Sequence, residues 1–281
     1  RFDRKVTLDL PDKKARRAIL DIHSADVPLT DDVDLDRIAA LTVGFSGADL
    51  ENLVNEAALL SGRENRENVD MESLLNARDK VVLGSKRELI MSEEEKNLVA
   101  HHEAGHALVA SLLPTADPLD KVTIIPRGRS LGATEQIPEE EHYNLRQSYV
   151  RDRIGVMLGG RIAEQLVFGE VSSGAEEDLK QATRLARHMV THWGMSEKIG
   201  PVAFRRGEEH IFLGREMTQQ RDFSEHTAQI IDDEISHLLK QIEQEITVLL
   251  EQHRVQLETL AAALLEKETL EADEIQAICG Q

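Results

Sequence analysis

The stretch that decides the fold of this chain runs from Ser92 to Leu113 and reads SEEEKNLVAHHEAGHALVASLL. Ser92, followed three residues later by Glu95, forms a capping box that marks a helix start. Pro114 ends the run, and Gly105 is the only earlier helix-breaking residue in it. An apolar stripe with spacings of four, four, three and four residues is carried by Leu98, His102, His106, Val109 and Leu113. The sequence therefore predicts a long helix in which two histidines are buried.

Two histidines one helical turn apart can reach the same metal ion, because positions i and i+4 lie on one face. The segment His102-Glu103-Ala104-Gly105-His106 fits the pattern H-E-x-x-H, in which the carboxylate takes a proton during zinc-dependent peptide hydrolysis. The alternative is a pair of core histidines satisfied by backbone carbonyls. His101 is rotated by about 100° from His102 on the helix, so we interpret it as a surface or supporting residue and not as a ligand.

A catalytic zinc usually has three protein ligands, and residues 107–114 offer no third one. Asp178 is the strongest distant candidate, because it shares a helix face with Ala182, Leu185 and Met189. A buried carboxylate has to be paired or to bind a metal. The alternative is an ordinary first-turn acid, which the helix dipole favours. Glu164 also lies in an apolar helical setting and is a candidate acceptor for the ring N–H of a ligand histidine.

Several further motifs occur in order along the chain. They are HEAGH, KVTIIPRGRSLG from Lys121, GGRIAEQLVFGE from Gly159, SSGAEEDLKQATRLARHMV from Ser172 and THWGMSEKIGP from Thr191. Together they resemble the protease domain of the FtsH family of membrane-anchored AAA zinc metalloproteases. This resemblance implies that His102, His106 and Asp178 are the zinc ligands and that Glu103 is the catalytic glutamate.

The same resemblance gives the expected organisation of a mainly α chain. Residues 1–84 are expected to form the end of an AAA module with its helical lid, and residues 85–92 a linker. Residues 93–281 are expected to form a mostly helical zinc metalloprotease domain with a short β element between Lys121 and Gln136. An exposed edge strand there could hold a peptide by strand addition, although a hairpin that only packs on the helix is an equal alternative. The segment Ser224–Cys279, free of Gly and Pro, predicts long helices.

Three N-terminal residues resemble nucleotide-related positions of AAA proteins. Arg1 matches the second of two arginine fingers, and Gly47 and Ala48 match a segment near the adenine. For the latter two, a plain helix N-cap at Ser46 is the alternative. No phosphate-binding loop occurs in the sequence. We therefore expect ATP and Mg²⁺ to be cofactors of an intact, longer protein only, with no ATP hydrolysis by this chain.

Composition excludes some partners. The formal net charge of -19 and the isoelectric point near 5.0 argue against nucleic acid, which requires a basic surface. A single cysteine, Cys279, excludes an intrachain disulfide. No apolar run approaches the roughly 18 residues of a membrane span. The chain as given is thus expected to be soluble, and the intact protein to be held in a bacterial inner or organelle membrane by missing N-terminal helices.

The resemblance implies a zinc-dependent metalloendopeptidase within an ATP-dependent, homo-hexameric protease that degrades unfolded and membrane proteins. In that reaction Glu103 would activate a zinc-bound water for attack on the peptide carbonyl. The rival hypothesis is an assembly module that builds a ring and in which the H-E-x-x-H motif is a vestige.

Overall fold

The computed structural model describes residues 9–87, 89, 91–128, 130–138, 144–204 and 223–280. Arg1, the expected arginine finger, lies outside the described residues. Within them the chain forms ten α-helices, one 3-10 turn and three short strands. In order these are α1 (Lys13–Ser24), α2 (Leu35–Leu41), α3 (Gly47–Arg63), α4 (Met71–Leu83), α5 (Glu93–Leu112), β1 (Leu119–Thr123), β2 (Ala133–Gln136), α6 (Gln147–Phe168), the 3-10 turn (Ser173–Ala175), α7 (Glu176–Thr191), α8 (Glu225–Gln252), α9 (Arg254–Lys267), β3 (Thr269–Glu271) and α10 (Ala272–Cys279). The predicted mainly α fold class is confirmed.

The chain divides into two compact units. The first contains Arg1–Ile90 and Ile124–Tyr143, and the second contains Met91–Thr123 and Asn144–Gln281. The sequence did not indicate that Ile124–Tyr143 would belong with the N-terminal helices. The expected boundaries at 84 and 92 stay a prediction.

The first unit is built from four capped helices. Each begins after a residue whose side chain accepts a backbone N–H, a favourable N-cap. These caps are Asp12, Asp34, Ser46 and Asp70. The apolar faces meet in one core whose largest fully buried side chains are Leu20, Ile38, Leu50, Leu53 and Leu74. This packing gives short helices the tertiary support that isolated helices of this length lack.

The first unit also contains a buried network of charged side chains. Arg78 of α4 is paired with Asp79 at 3.3 Å and with Glu135 of β2. Arg127 lies 3.4 Å from the other oxygen of Asp79. All four side chains are buried, so each charge depends on its partners for the interactions it loses with water. The network ties α4 to the segment 124–138.

Helix α5 is the centre of the second unit and packs most extensively on α6 and α9. Its predicted capping box is confirmed, since Ser92 accepts the Glu95 N–H and Glu95 accepts the Ser92 N–H. Gly105 and Gly159 let α5 and α6 approach closely. A Cβ on Gly105 would lie 2.4 Å from the Gly159 carbonyl oxygen, so only hydrogen fits there.

The segment Ser224–Cys279, predicted to form long helices, forms α8, α9 and α10, but the strand β3 between α9 and α10 was not predicted. Glu268 adopts a left-handed conformation with φ of 61°, and β3 follows it. β3 pairs antiparallel with β1, with Val122 opposite Leu270. Both of these side chains are buried, so the pairing places two apolar residues in the core. In the described part of the chain, no helix is both long enough and apolar enough to span a bilayer.

Candidate metal centre

The structure brings three predicted ligands together in the second unit. His102 and His106 lie one turn apart on α5, and their Nε2 atoms are 3.0 Å apart. Asp178, in the first turn of α7, places its Oδ2 atom 3.4 Å from the His102 Nε2 and 3.6 Å from the His106 Nε2. Among the described residues, these three form the one group of at least three potential metal ligands.

The other ring nitrogen of each histidine is held by an acceptor. His106 Nδ1 lies 2.7 Å from the carbonyl oxygen of Val156, which can only accept, so this nitrogen carries the proton. His102 Nδ1 lies 2.6 Å from Glu164 Oε1 and donates to that carboxylate. Both Nε2 atoms are therefore left with lone pairs that face each other and the carboxylate of Asp178. This is the arrangement by which supporting contacts orient histidines towards a metal.

The donor set fits a zinc ion. Two imidazole nitrogens and one carboxylate oxygen form one of the ligand sets of catalytic zinc, which leaves a position for water or substrate. Two lone pairs 3.0 Å apart repel each other unless a cation or a proton lies between them. Burial alone lowers the pKa of His102, but its hydrogen bonds to Asp178 and Glu164 outweigh burial and raise the pKa to about 10. The site thus attracts positive charge strongly.

The pKa of Asp178 is shifted in the opposite direction. Burial raises the pKa of Asp178, but the hydrogen bonds to His102 and His106 and the positive charge of these rings have a larger and opposite effect. The pKa of Asp178 therefore lies well below its usual range. Asp178 is consequently an ionised acceptor at neutral pH. Asp178 lies in the first turn of α7. Ser173 and Glu176 have the spacing of a capping box, but no side chain caps α7. The turn is capped by Ser172 instead, whose hydroxyl accepts the Gly174 N–H.

Glu164 supports His102 from α6. It is 1% exposed, and Ser172 donates to it twice, from the backbone N–H at 2.6 Å and from the hydroxyl at 3.1 Å. Burial raises the pKa of Glu164, but the hydrogen bonds from His102 and Ser172 outweigh burial and lower the pKa. The carboxylate is therefore charged and polarises His102. Ser172 was missed at the sequence level, because nothing in its spacing shows that it turns back onto α6.

Gly160 is the second residue that sequence reasoning missed. A Cβ at this position of α6 would lie 2.6 Å from the His106 Nε2 and 2.7 Å from the His102 Nε2. The two imidazoles occupy the space that any other residue would fill. The pair Gly159-Gly160 was visible in the sequence, and a glycine pair within a helix is a signal of close approach.

The remaining predicted site residues lie as follows. Glu103 is buried beside the histidines, and its charge contributes to the raised pKa of His102. His101 lies outside the ligand group, with its Nδ1 atom 2.8 Å from the Asn97 carbonyl oxygen. Gly47 and Ala48 begin α3 in the first unit, behind a capping box of Ser46 and Asp49. That capping box is the local structure that the plain N-cap alternative predicted.

A buried pair of helix-borne histidines, a carboxylate from a second helix and an adjacent glutamate define a metallopeptidase-type centre. Residues 89–278 match the model of peptidase family M41, and residues 32–76 match the model of the AAA+ lid domain. The chain belongs to peptidase family M41.

Relatives agree with this assignment. The chain is 64% identical over 278 residues to the ATP-dependent zinc metalloprotease FtsH of Nitrosococcus oceani, which covers 99% of this chain and 44% of the relative. It is 53% identical over 278 residues to the protein of the same name from Marinobacter nauticus, with the same two coverages. The chain thus spans less than half the length of these relatives. The matches confirm the resemblance to the FtsH family and the prediction of a zinc-dependent peptidase.

Proposed function

We propose that this chain hydrolyses peptide bonds at a centre in which His102, His106 and Asp178 hold a zinc ion and Glu103 is the general base. The observation that carries this proposal is the convergence of three ligand atoms within 4.8 Å of one another. The fixed Nδ1 hydrogen bonds of both histidines support it, because they leave each Nε2 atom free for a metal.

When bound, zinc supplies a Lewis acid that polarises a carbonyl and lowers the pKa of a water towards 7. The protein residues supply the rest. Glu103 accepts the proton of the attacking water and returns it to the leaving amine. Glu164 and the Val156 carbonyl oxygen keep the two imidazoles in one tautomer and orientation. The buried setting of Glu103 strengthens its interaction with nearby charge.

We also propose that the whole protein couples this centre to ATP. The AAA+ lid match and the relatives' printed name support this proposal. ATP and Mg²⁺ would then act in the nucleotide module, near Arg1, Gly47 and Ala48. Substrates would be unfolded and membrane proteins, the assembly a homo-hexamer, and the location a membrane. The domain division into residues 1–84, 85–92 and 93–281 belongs to the same proposal.

The test is cleavage of an unfolded substrate such as casein. Cleavage is expected to stop with a chelator, to return with added zinc, and to be absent in Glu103→Gln, which retains its zinc. Glu94→Gln, an exposed position in the first turn of the same helix, is the matched control and should cleave normally. Cleavage that persists in Glu103→Gln or in chelator would refute the proposal. Zinc binding without any cleavage by the unaltered chain would favour the rival assembly module.

A further inference from the structure

A second pair of histidines with metal-ligand spacing lies at the other end of α7. His188 and His192 are four residues apart, in the last turn and at the C-cap of this helix. Their ring centroids are 5.0 Å apart with an interplanar angle of 77°. The corresponding values for His102 and His106 are 4.7 Å and 81°. The mutual geometry of the rings is therefore close to that of the pair in the peptidase centre.

The protonation of His192 is set by its neighbour. The Thr191 hydroxyl lies 2.7 Å from the Arg187 carbonyl oxygen, to which it donates its single hydrogen. The same oxygen lies 2.7 Å from His192 Nδ1, so it accepts the N–H of that ring. The lone pair of His192 is thereby on Nε2, and the ring is held for a ligand in the manner of a supported metal site.

The protonation state of His188 suits a metal ligand, and the position of the pair at the end of a helix suits a cation. Burial, together with the nearby His192 and Arg184, lowers the pKa of His188, which favours the neutral imidazole that a metal requires. A cation at the C-terminus of a helix is stabilised by the helix dipole. His192 is exposed and His188 is partly exposed, so an ion can reach both rings.

We propose that His188 and His192 form a second binding site, for a divalent transition-metal ion such as Cu²⁺, Ni²⁺ or Zn²⁺. Ten residues of helix separate His188 from Asp178, which is about 15 Å at 1.5 Å per residue, so the site is distinct from the peptidase centre. Among the described residues no third histidine, cysteine or carboxylate completes a group here. The remaining coordination positions of a bound ion would therefore be taken by water. Binding is therefore weaker than at the peptidase centre and is strongest for Cu²⁺.

The single tryptophan of the chain reports on this site. Trp193 follows His192 directly, and its ring centroid lies 5.6 Å from that of His188. Paramagnetic Cu²⁺ bound to the pair is expected to quench Trp193 fluorescence with saturation. The double variant H188Q/H192Q should raise the midpoint of quenching at least about tenfold, a change of roughly 1.4 kcal/mol. H226Q/H237Q removes two exposed histidines of α8 and should leave the midpoint within about twofold of the unaltered chain.

Each outcome decides the proposal. Quenching that rises linearly without saturation, or equal midpoints for the two double variants, would show adventitious binding only and overturn it. Single His192→Gln changes an exposed side chain and serves as a check should the double variant fail to fold. Two variants distinguish a failure of this second metal site from a failure of the proposed peptidase centre. Asp178→Ala should retain the quenching, and H188Q/H192Q should retain casein cleavage.

Discussion

Gly160→Ala is the sharpest test of how the metal centre is built. The added Cβ would lie 2.6 Å from the His106 Nε2 and 2.7 Å from the His102 Nε2. Ordinary van der Waals contact begins at 3.4 Å, so the His106 nitrogen has to move by 3.4 - 2.6 = 0.8 Å. Metal–ligand distances tolerate about 0.2 Å. The required displacement is four times that tolerance, and both ligands are affected together.

We expect Gly160→Ala to reduce zinc affinity by at least about 100-fold, since even outer supporting contacts contribute 10–100-fold. Zinc content after dialysis against a competing chelator, read by atomic absorption, measures this loss directly. Secondary structure should persist, because alanine is favoured over glycine within a helix by about 1 kcal/mol. Far-UV circular dichroism and a thermal melt check that expectation.

Gly155→Ala, in the same helix, is the matched control. Its Cβ would meet the ends of the Ile246 and Leu113 side chains at 3.0 Å and 3.2 Å, and these flexible groups can move away. Zinc affinity should therefore be retained in Gly155→Ala. A folded Gly160→Ala that binds zinc as tightly as the unaltered chain, or an equal loss of zinc in both variants, would contradict this steric role of Gly160.

Three further outcomes are expected. Asp178→Ala removes a ligand and should cause a large fall in zinc content by metal analysis; unchanged stoichiometry would remove Asp178 from the ligand set. Glu164→Gln keeps the shape of the side chain but removes the negative charge of the carboxylate that accepts the His102 Nδ1 hydrogen bond, so zinc affinity should fall about 10–100-fold. An unchanged dissociation constant for zinc would contradict a supporting role of Glu164. Arg78→Met leaves Asp79 and Glu135 buried without it and should lower the free energy of unfolding by about 3–5 kcal/mol in urea denaturation. A loss below about 1 kcal/mol would show that the network is dispensable.

The sequence predicted those parts of the centre that depend on local periodicity. Both histidines followed from a spacing of four on an apolar stripe, and Asp178 from an acid on another such stripe. What it could not predict depends on contacts between distant segments. Gly160 matters because α6 crosses α5 at the imidazoles, and Ser172 matters because the turn after α6 folds back onto Glu164.

The C-terminal strand β3 is a feature of the fold that the sequence could not predict for the same reason. Residues 269–271 have no break signal before them, and Glu268 adopts a positive φ that glycine or asparagine usually supplies. The strand exists because its partner β1 offers backbone groups and a buried place for Leu270, although Val122, which lies opposite Leu270, is 270 - 122 = 148 residues earlier. The pairing with β1 outweighs the helix propensity of residues 269–271, and no local sequence pattern shows such a long-range pairing.

The division of the chain has a consequence for biosynthesis. Because Ile124–Tyr143 belongs to the first unit, that unit lacks part of its own structure until 143 - 90 = 53 further residues have been translated. At 5–20 residues per second this takes about 3–11 s. During that interval Arg78 and Asp79 are without Glu135 and Arg127, their buried partners in the finished protein. The helices of the first unit thus leave the ribosome before that unit is complete. Its folding is completed only when a segment encoded within the peptidase region has been made.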